Sequence, residues 1–218
     1  MKKLQRLCQC RSLVIAASLN LLAAPAAHAA YTLTIAQVGP DVVATGDGSI
    51  NLTALTAYGP STDVGNVWPS FSVGASQGVV SIGPTSPVSV DGYTGASGPT
   101  NLGTGPQVFA TSGSGSLVGI AGGAAGAAFL YVPQNYVSSA ALGPSTSIWA
   151  GTTTAALGLR PGSYTWTWGS GATADGLTLT IQGSPLQTPV PALDTLGKLA
   201  LAGLLGASAV AAMRRKQA

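Results

Sequence analysis

Short runs that alternate apolar residues with Thr, Ser or Asn, cut apart by Gly and Pro, fill the chain from Tyr31 to Gln187. This pattern constrains the fold more than any other feature. A side chain every second residue on one face is the period of a half-buried strand, and each Gly-Pro or Asp-Gly step marks a turn. The segments YTLTIAQ (31–37), DVVATG (41–46) and SINLTAL (49–55) open the series. GVVSIG, VSVDGY, QVFATS, GSLVGI, AAFLYV, SIWAG, SYTWTW and GLTLTI continue it to residue 181. Strands this short and this dense, with no long amphipathic helix between them, predict an all-β fold, an antiparallel β-sandwich. The Ala- and Gly-rich GIAGGAAGAAFLYV (119–132) is open to a helical reading. Its glycines argue against that, since each costs about 1 kcal/mol relative to Ala in a helix interior.

SYTWTWGSGATADGLTLTI (163–181) predicts an antiparallel hairpin. Period-2 spacing puts Tyr164, Trp166 and Trp168 on one face of its first strand, and Leu177, Leu179 and Ile181 on one face of its second. Pairing three aromatics with three aliphatics places both faces in the core.

The two ends differ from the middle. Charged residues are 7% of the 218. Basic residues gather at Lys2, Lys3, Arg6 and Arg11 and again at Lys198, Arg214, Arg215 and Lys216, while residues 31–187 hold only Arg160 against Asp41, Asp47, Asp63, Asp91 and Asp175. A mildly acidic middle with one cation is no nucleic-acid surface. Residues 1–29 have the layout of a signal peptide: basic MKKLQRLCQCR, apolar LVIAASLNLLAAPAA, then small residues at Ala27 and Ala29. Cleavage is expected after Ala29 or after Ala30. Asn20 and Pro25 interrupt a run already short for a permanent anchor. Cys8 and Cys10 would leave with this segment, so the ectodomain, 30–185, is expected to fold without disulfides.

At the other end, residues 186–195 form a Pro-containing linker that includes Thr188–Pro191, TPVP. Residues 196–213 are almost wholly Ala, Leu, Gly, Val and Met. The run is short against the roughly 20 residues of a spanning helix, but Lys198 can snorkel and lengthen it. Arg214, Arg215 and Lys216 in the last five residues, 214–218, then act as the cytoplasmic membrane stop. A core helix would carry a polar stripe, and this segment is apolar all round. The expected element is a transmembrane helix.

Val190, Pro191, Ala192, Leu193 and Asp194, followed by the apolar run and the basic cluster, resemble the C-terminal sorting signals of Gram-negative bacteria processed by exosortase-type enzymes, the PEP-CTERM group and its IPTL-CTERM relatives. The resemblance implies export, transient anchoring in the inner membrane, cleavage at the motif, and delivery to the cell surface or an extracellular polysaccharide matrix. Leu159, Pro161, Gly162 and Tyr164 resemble the turn-plus-tyrosine approach to a late strand in immunoglobulin-like sandwiches. With YTLTIAQVGPDVVATGDGSINLTAL and SGSGSLVGIAGG, the stretch 31–182 is similar to exported PEP-CTERM-type proteins of uncharacterised function. That similarity implies location and no activity.

Residues 31–187 contain no His, Cys, Glu or Lys, which removes triad, thiol, imidazole–metal and Schiff-base chemistry from the inventory. The five Asp sit among Gly and Ser, where they suit turns. DGSIN (47–51) places oxygen ligands at alternate positions, but without a Glu to complete a calcium cage it reads as a turn. No cofactor, metal or catalytic residue is expected. Two function classes stay open: a structural surface or matrix protein, and a carbohydrate-binding module in which exposed Trp68, Trp149, Trp166 or Trp168, with Tyr164, stack on sugars.

Overall fold

The computed structural model describes residues 30–72, 76–123 and 126–183, and among them the alternating runs form strands, with no α-helix. In chain order these are β1 (Ala30–Val38), β2 (Asp41–Ser49), β3 (Thr56–Asp63), β4 (Asn66–Ser72), β5 (Ser76–Ile82), β6 (Val88–Ser97) and β7 (Val108–Phe109). They continue with β8 (Ser112–Ser114), β9 (Val118–Gly122), β10 (Ala127–Pro133), β11 (Ala141–Trp149), β12 (Gly162–Trp168) and β13 (Asp175–Ile181). The Ala/Gly-rich segment is thus two strands, β9 and β10, paired antiparallel from Tyr131–Gly119 to Ala128–Gly122.

Hydrogen bonds join the strands in the order β7-β4-β5-β9-β10-β6-β12-β13-β1-β2-β11-β8, with β3 paired to β6. All pairs are antiparallel except one: β1 and β13, the first and last strands, run parallel from Ala30–Gly176 to Ile35–Ile181. The β6–β12 junction is a single residue pair, Thr167–Ser97. There the sheet curls, and its two halves face each other, β5 packing against β2 and β11. Ser147 of β11 holds the halves together by donating to the Gly83 carbonyl and accepting from the Gly83 N–H.

The core lies between the halves. Leu33, Ile35, Val42 and Ala44 on one side meet Val67, Val80, Ile82, Ile120 and Leu130 on the other. The β12–β13 hairpin forms with the inward faces its sequence predicts; in its register Trp166 faces Leu177 and Tyr164 faces Leu179, while Trp168 faces Asp175 and Ile181 faces Gly162, with Trp166, Leu177 and Leu179 fully buried. The Thr165 and Thr178 hydroxyls meet on the outer face at 3.3 Å. The Tyr164 hydroxyl turns back to donate to the Arg160 carbonyl at 2.8 Å, stapling the turn before β12.

One expected strand is absent. Residues 50–55 turn instead of continuing from β2, because their N–H groups find side-chain acceptors: Ile50 donates to the Tyr136 hydroxyl, Asn51 to Asp175 and Leu52 to Ser138. Ile50 and Leu52 are buried all the same, packing from a loop. Two strands, β3 and β4, appear where the sequence suggests none. Pro60 is tolerated because β3 is paired on one side only, and Pro69 sits at a register shift between Trp68 and Phe71.

Among the described residues the Tyr31 hydroxyl is buried with no partner in good hydrogen-bond geometry. Ser145, beside it, donates to the Ser116 carbonyl, and its interaction with the phenol only partly offsets the burial. Burial pushes the Tyr31 phenol up to about 12. A buried hydroxyl without a partner is a net penalty, so Tyr31→Phe is expected to leave stability unchanged or raise it by up to about 1 kcal/mol. A urea midpoint lowered at constant slope would contradict this account. Trp166→Ala, by contrast, empties a fully buried site and is expected to destabilise by about 3–5 kcal/mol, a large share of the total for a domain of this size. A melting temperature left in place would show that Trp166 does not pack as described.

Candidate functional site

Three of the four tryptophans proposed as sugar-stacking residues are interior. Trp149, Trp166 and Trp168 are 1%, 0% and 4% exposed. Each ring N–H is spent on a backbone carbonyl, of Val108, Pro99 and Asn51 respectively. A ring packed on both faces has none to offer a sugar, which corrects the expectation for these three; Tyr164 is half-buried against the same core. Their period-2 spacing on amphipathic strands is what takes them inward.

Trp68 is different: half-buried, it lines a cleft of about 370 Å³ on the outer face of the half-sheet β4-β5-β9-β10. Strand register builds this cleft. Trp68 pairs with Val79, Val79 with Ala121, and Ala121 with Phe129, so one row crosses four strands with an aromatic ring at each end and small residues between. With strands about 4.8 Å apart, the two aromatic Cα atoms stand roughly 14 Å apart. The next row outward-facing by pleat is Asn66, Ser81, Gly119 and Tyr131. Both rows dip over β9, whose outward positions are only Gly119 and Ala121. A Cβ at Gly119 would run into the Ser81 side chain. Tyr58 of β3 adds an edge-on contact to Phe129, ring centroids 5.5 Å apart at 75°.

The polar side of the cleft is preset. Asp63, at the end of β3, accepts from the Val64 N–H at 2.8 Å, from Ser81 Oγ at 2.5 Å and from Asn66 Nδ2 at 3.2 Å. Asn66 in turn accepts from Gln107 Nε2 at 3.2 Å. Among the described residues the Tyr131 hydroxyl and Gln107 Oε1 have no partner, so both are free to bind from the rim. Burial pushes the Asp63 carboxyl above its ordinary range, and the three donors only partly offset this. Burial, then the charge of Asp63, pushes the Tyr131 phenol up as well. Asp63 is the single carboxylate in the lining, whereas acid–base cleavage of a glycosidic bond uses two.

The remaining candidates divide in two. The DGSIN residues serve the fold: the Asp47 carboxylate accepts from the Thr32 hydroxyl, and Asn51 Oδ1 accepts from the Thr53 N–H in a turn. Among the described residues no three His, Cys, Asp or Glu gather as metal ligands, and no helix is long and apolar enough to cross a membrane. Ala27, Ala29, Val190, Pro191, Ala192, Leu193, Asp194, Arg214, Arg215 and Lys216, with the spans 1–29, 186–195 and 196–213, lie outside the described residues; Ala30 is the first residue of β1. No protein-family model matches the chain, and no curated protein or solved structure is significantly similar to it.

Asp63, Asn66, Gln107, Phe129 and Tyr131 are the cleft residues that sequence reasoning passes over. One signal was present: VGIAG (118–122) carries Gly and Ala at alternate positions, which on a strand leaves one face bare.

Because the Asp63 carboxyl is raised in the folded state, the folded protein holds its proton more tightly than the unfolded chain. From this group alone, stability is fullest below the ordinary value of 3.8 and falls as pH rises through the window above it. Asp63→Asn removes that titration. The stability of the wild type relative to Asp63→Asn is therefore expected to increase between about pH 7 and about pH 4, read from urea midpoints of both proteins. A gap that stays constant or closes on acidification contradicts the burial of this carboxyl.

Proposed function

We propose that this is an exported, non-catalytic structural protein of the cell surface or extracellular matrix. Its C-terminal segment holds it in the inner membrane until an exosortase-type enzyme cuts at Val190–Asp194. The ectodomain is a sandwich of immunoglobulin-like character, a reading supported by the facing halves of the sheet and by the Tyr164–Arg160 staple.

The observation that carries the proposal is where the strands lie. Among the described residues they begin at Ala30, beside the expected signal-peptidase site, and end at Ile181, ahead of the linker and motif. Removal of both ends would thus leave every described strand intact. Because β1 and β13 are parallel, Ala30 and Ile181 fall at opposite ends of their shared ladder. The residue inventory of 31–187 and the single carboxylate in the cleft support a role without catalysis.

Mass spectrometry of the mature protein from surface and medium fractions is expected to find a start at Ala30 or Tyr31 and an end within or near residues 190–194. Deleting Leu196–Ala218 is expected to move the protein from the membrane fraction to periplasm or medium. A surface form that still carries Arg214 and Arg215 would refute cleavage, and a truncated form that stays in the membrane would refute anchoring.

A further inference from the structure

We infer that the cleft between Trp68 and Phe129 is a binding site for a neutral saccharide, sized for a mono- or disaccharide unit of a larger glycan. This goes beyond the surface-protein reading and is tested independently of export.

The volume, about 370 Å³, falls within the range of small-molecule sites. The lining selects among ligand chemistries. An anion has nothing to pair with: Arg160 is the one cation among the described residues, it is not in the lining, and Asp63 repels negative charge. A hydrocarbon would cover Asp63, Gln107 and the Tyr131 hydroxyl without replacing the water they lose, an unfavourable exchange. A pyranose answers both halves of the site. Its C–H faces suit the electron-rich faces of Trp68, Phe129 and Tyr131, and its rim hydroxyls can donate to Asp63 and Gln107 and accept from Tyr131.

The site is also preorganised. Asp63 is held by three donors and Asn66 by Gln107, so little ordering remains to be done when a ligand arrives. A small quaternary cation also favours aromatics beside a carboxylate. Such a cation wants rings closed around one point, whereas here Trp68 and Phe129 stand at the two ends of a row whose neighbour is amide and hydroxyl.

The test uses the full-length chain in mild detergent, titrated with cellohexaose, xylohexaose, mannohexaose and chitohexaose and run in affinity gels containing the matching soluble polysaccharides. Because Trp149, Trp166 and Trp168 are buried, a change in tryptophan fluorescence reports on Trp68. Saturable binding to at least one of these glycans is expected. It should weaken about tenfold or more in Trp68→Ala and in Gln107→Ala, remain in Val137→Ala, which is exposed away from the cleft, and release no reducing sugar. Gln107 is an exposed rim residue, so Gln107→Ala keeps the test decisive if Trp68→Ala fails to fold. The assignment is overturned if none of the glycans binds, if Trp68→Ala and Gln107→Ala both bind as tightly as the wild type, or if choline binds where the sugars do not. Release of reducing ends would overturn binding without cleavage. None of these outcomes bears on the mature termini, so failure here and failure of the export reading are told apart.

Discussion

The parallel pairing of β1 with β13 is the contact on which the rest of the sheet depends. It lies in the middle of the strand order, with β2, β11 and β8 on one side and β12, β6, β10 and the cleft strands on the other. Six residue pairs in unbroken register, from Ala30–Gly176 to Ile35–Ile181, make it a full ladder. Tyr31, Leu33 and Ile35 alternate with Thr32 and Thr34, and Leu177, Leu179 and Ile181 do the same opposite, so one face of both strands enters the core together. A slip of either strand by one residue would turn its three apolar side chains to water. Because the pair joins the two ends of the described fold, the sheet is complete only after nearly the whole domain has been arranged, a topology associated with slow folding.

The curl follows from the weakness of the opposite join. β6 and β12 share one residue pair, and the two halves part there and close on the core. Three interior tryptophans then tie two loops and the edge strand β7 to this frame. Trp166 holds Pro99 in the long β6–β7 connection, Trp168 holds Asn51 in the turn after β2, and Trp149 holds Val108 of β7. A buried indole needs one acceptor, and the Pro99 and Asn51 carbonyls, in loops outside any ladder, each need a donor, so those two pairings satisfy two groups at once. These rings therefore act as core and as loop anchors, which is the physical reason they are unavailable to a ligand.

The cleft is the complement of that core on the outer face. It exists because β9 offers only Gly119 and Ala121 outward while its neighbours offer Trp68, Asn66, Phe129 and Tyr131, and because the last residues of β3 bring Asp63 over Ser81. Two rows two residues apart on the same strands thus divide the work, one supplying ring faces and the other hydroxyl and amide. The nearest the sequence comes to announcing this is a short stretch of small residues that reads equally well as a turn-rich strand.

What the sequence determined by itself is the class of fold and the inward face of the regular strands. Period-2 alternation with Gly and Pro punctuation leaves a strand little freedom about which side to bury, and the inward faces of the 163–181 hairpin were legible for that reason, while its register, with Trp168 opposite Asp175 and Ile181 opposite Gly162, was not. It was less legible wherever local chemistry and pairing pull apart. Residues 50–55 alternate like a strand, yet turn, because Tyr136, Ser138 and Asp175 arrive from distant positions to accept their N–H groups. β3 and β4 carry prolines that argue against strands, yet pair, because one is free along one side and the other absorbs Pro69 at a bulge. Only tertiary structure could decide which tryptophan meets solvent and which small residues lie beside which aromatics. Both depend on register between strands far apart in the chain, and that is set by the packing of the whole core rather than by any run of neighbours.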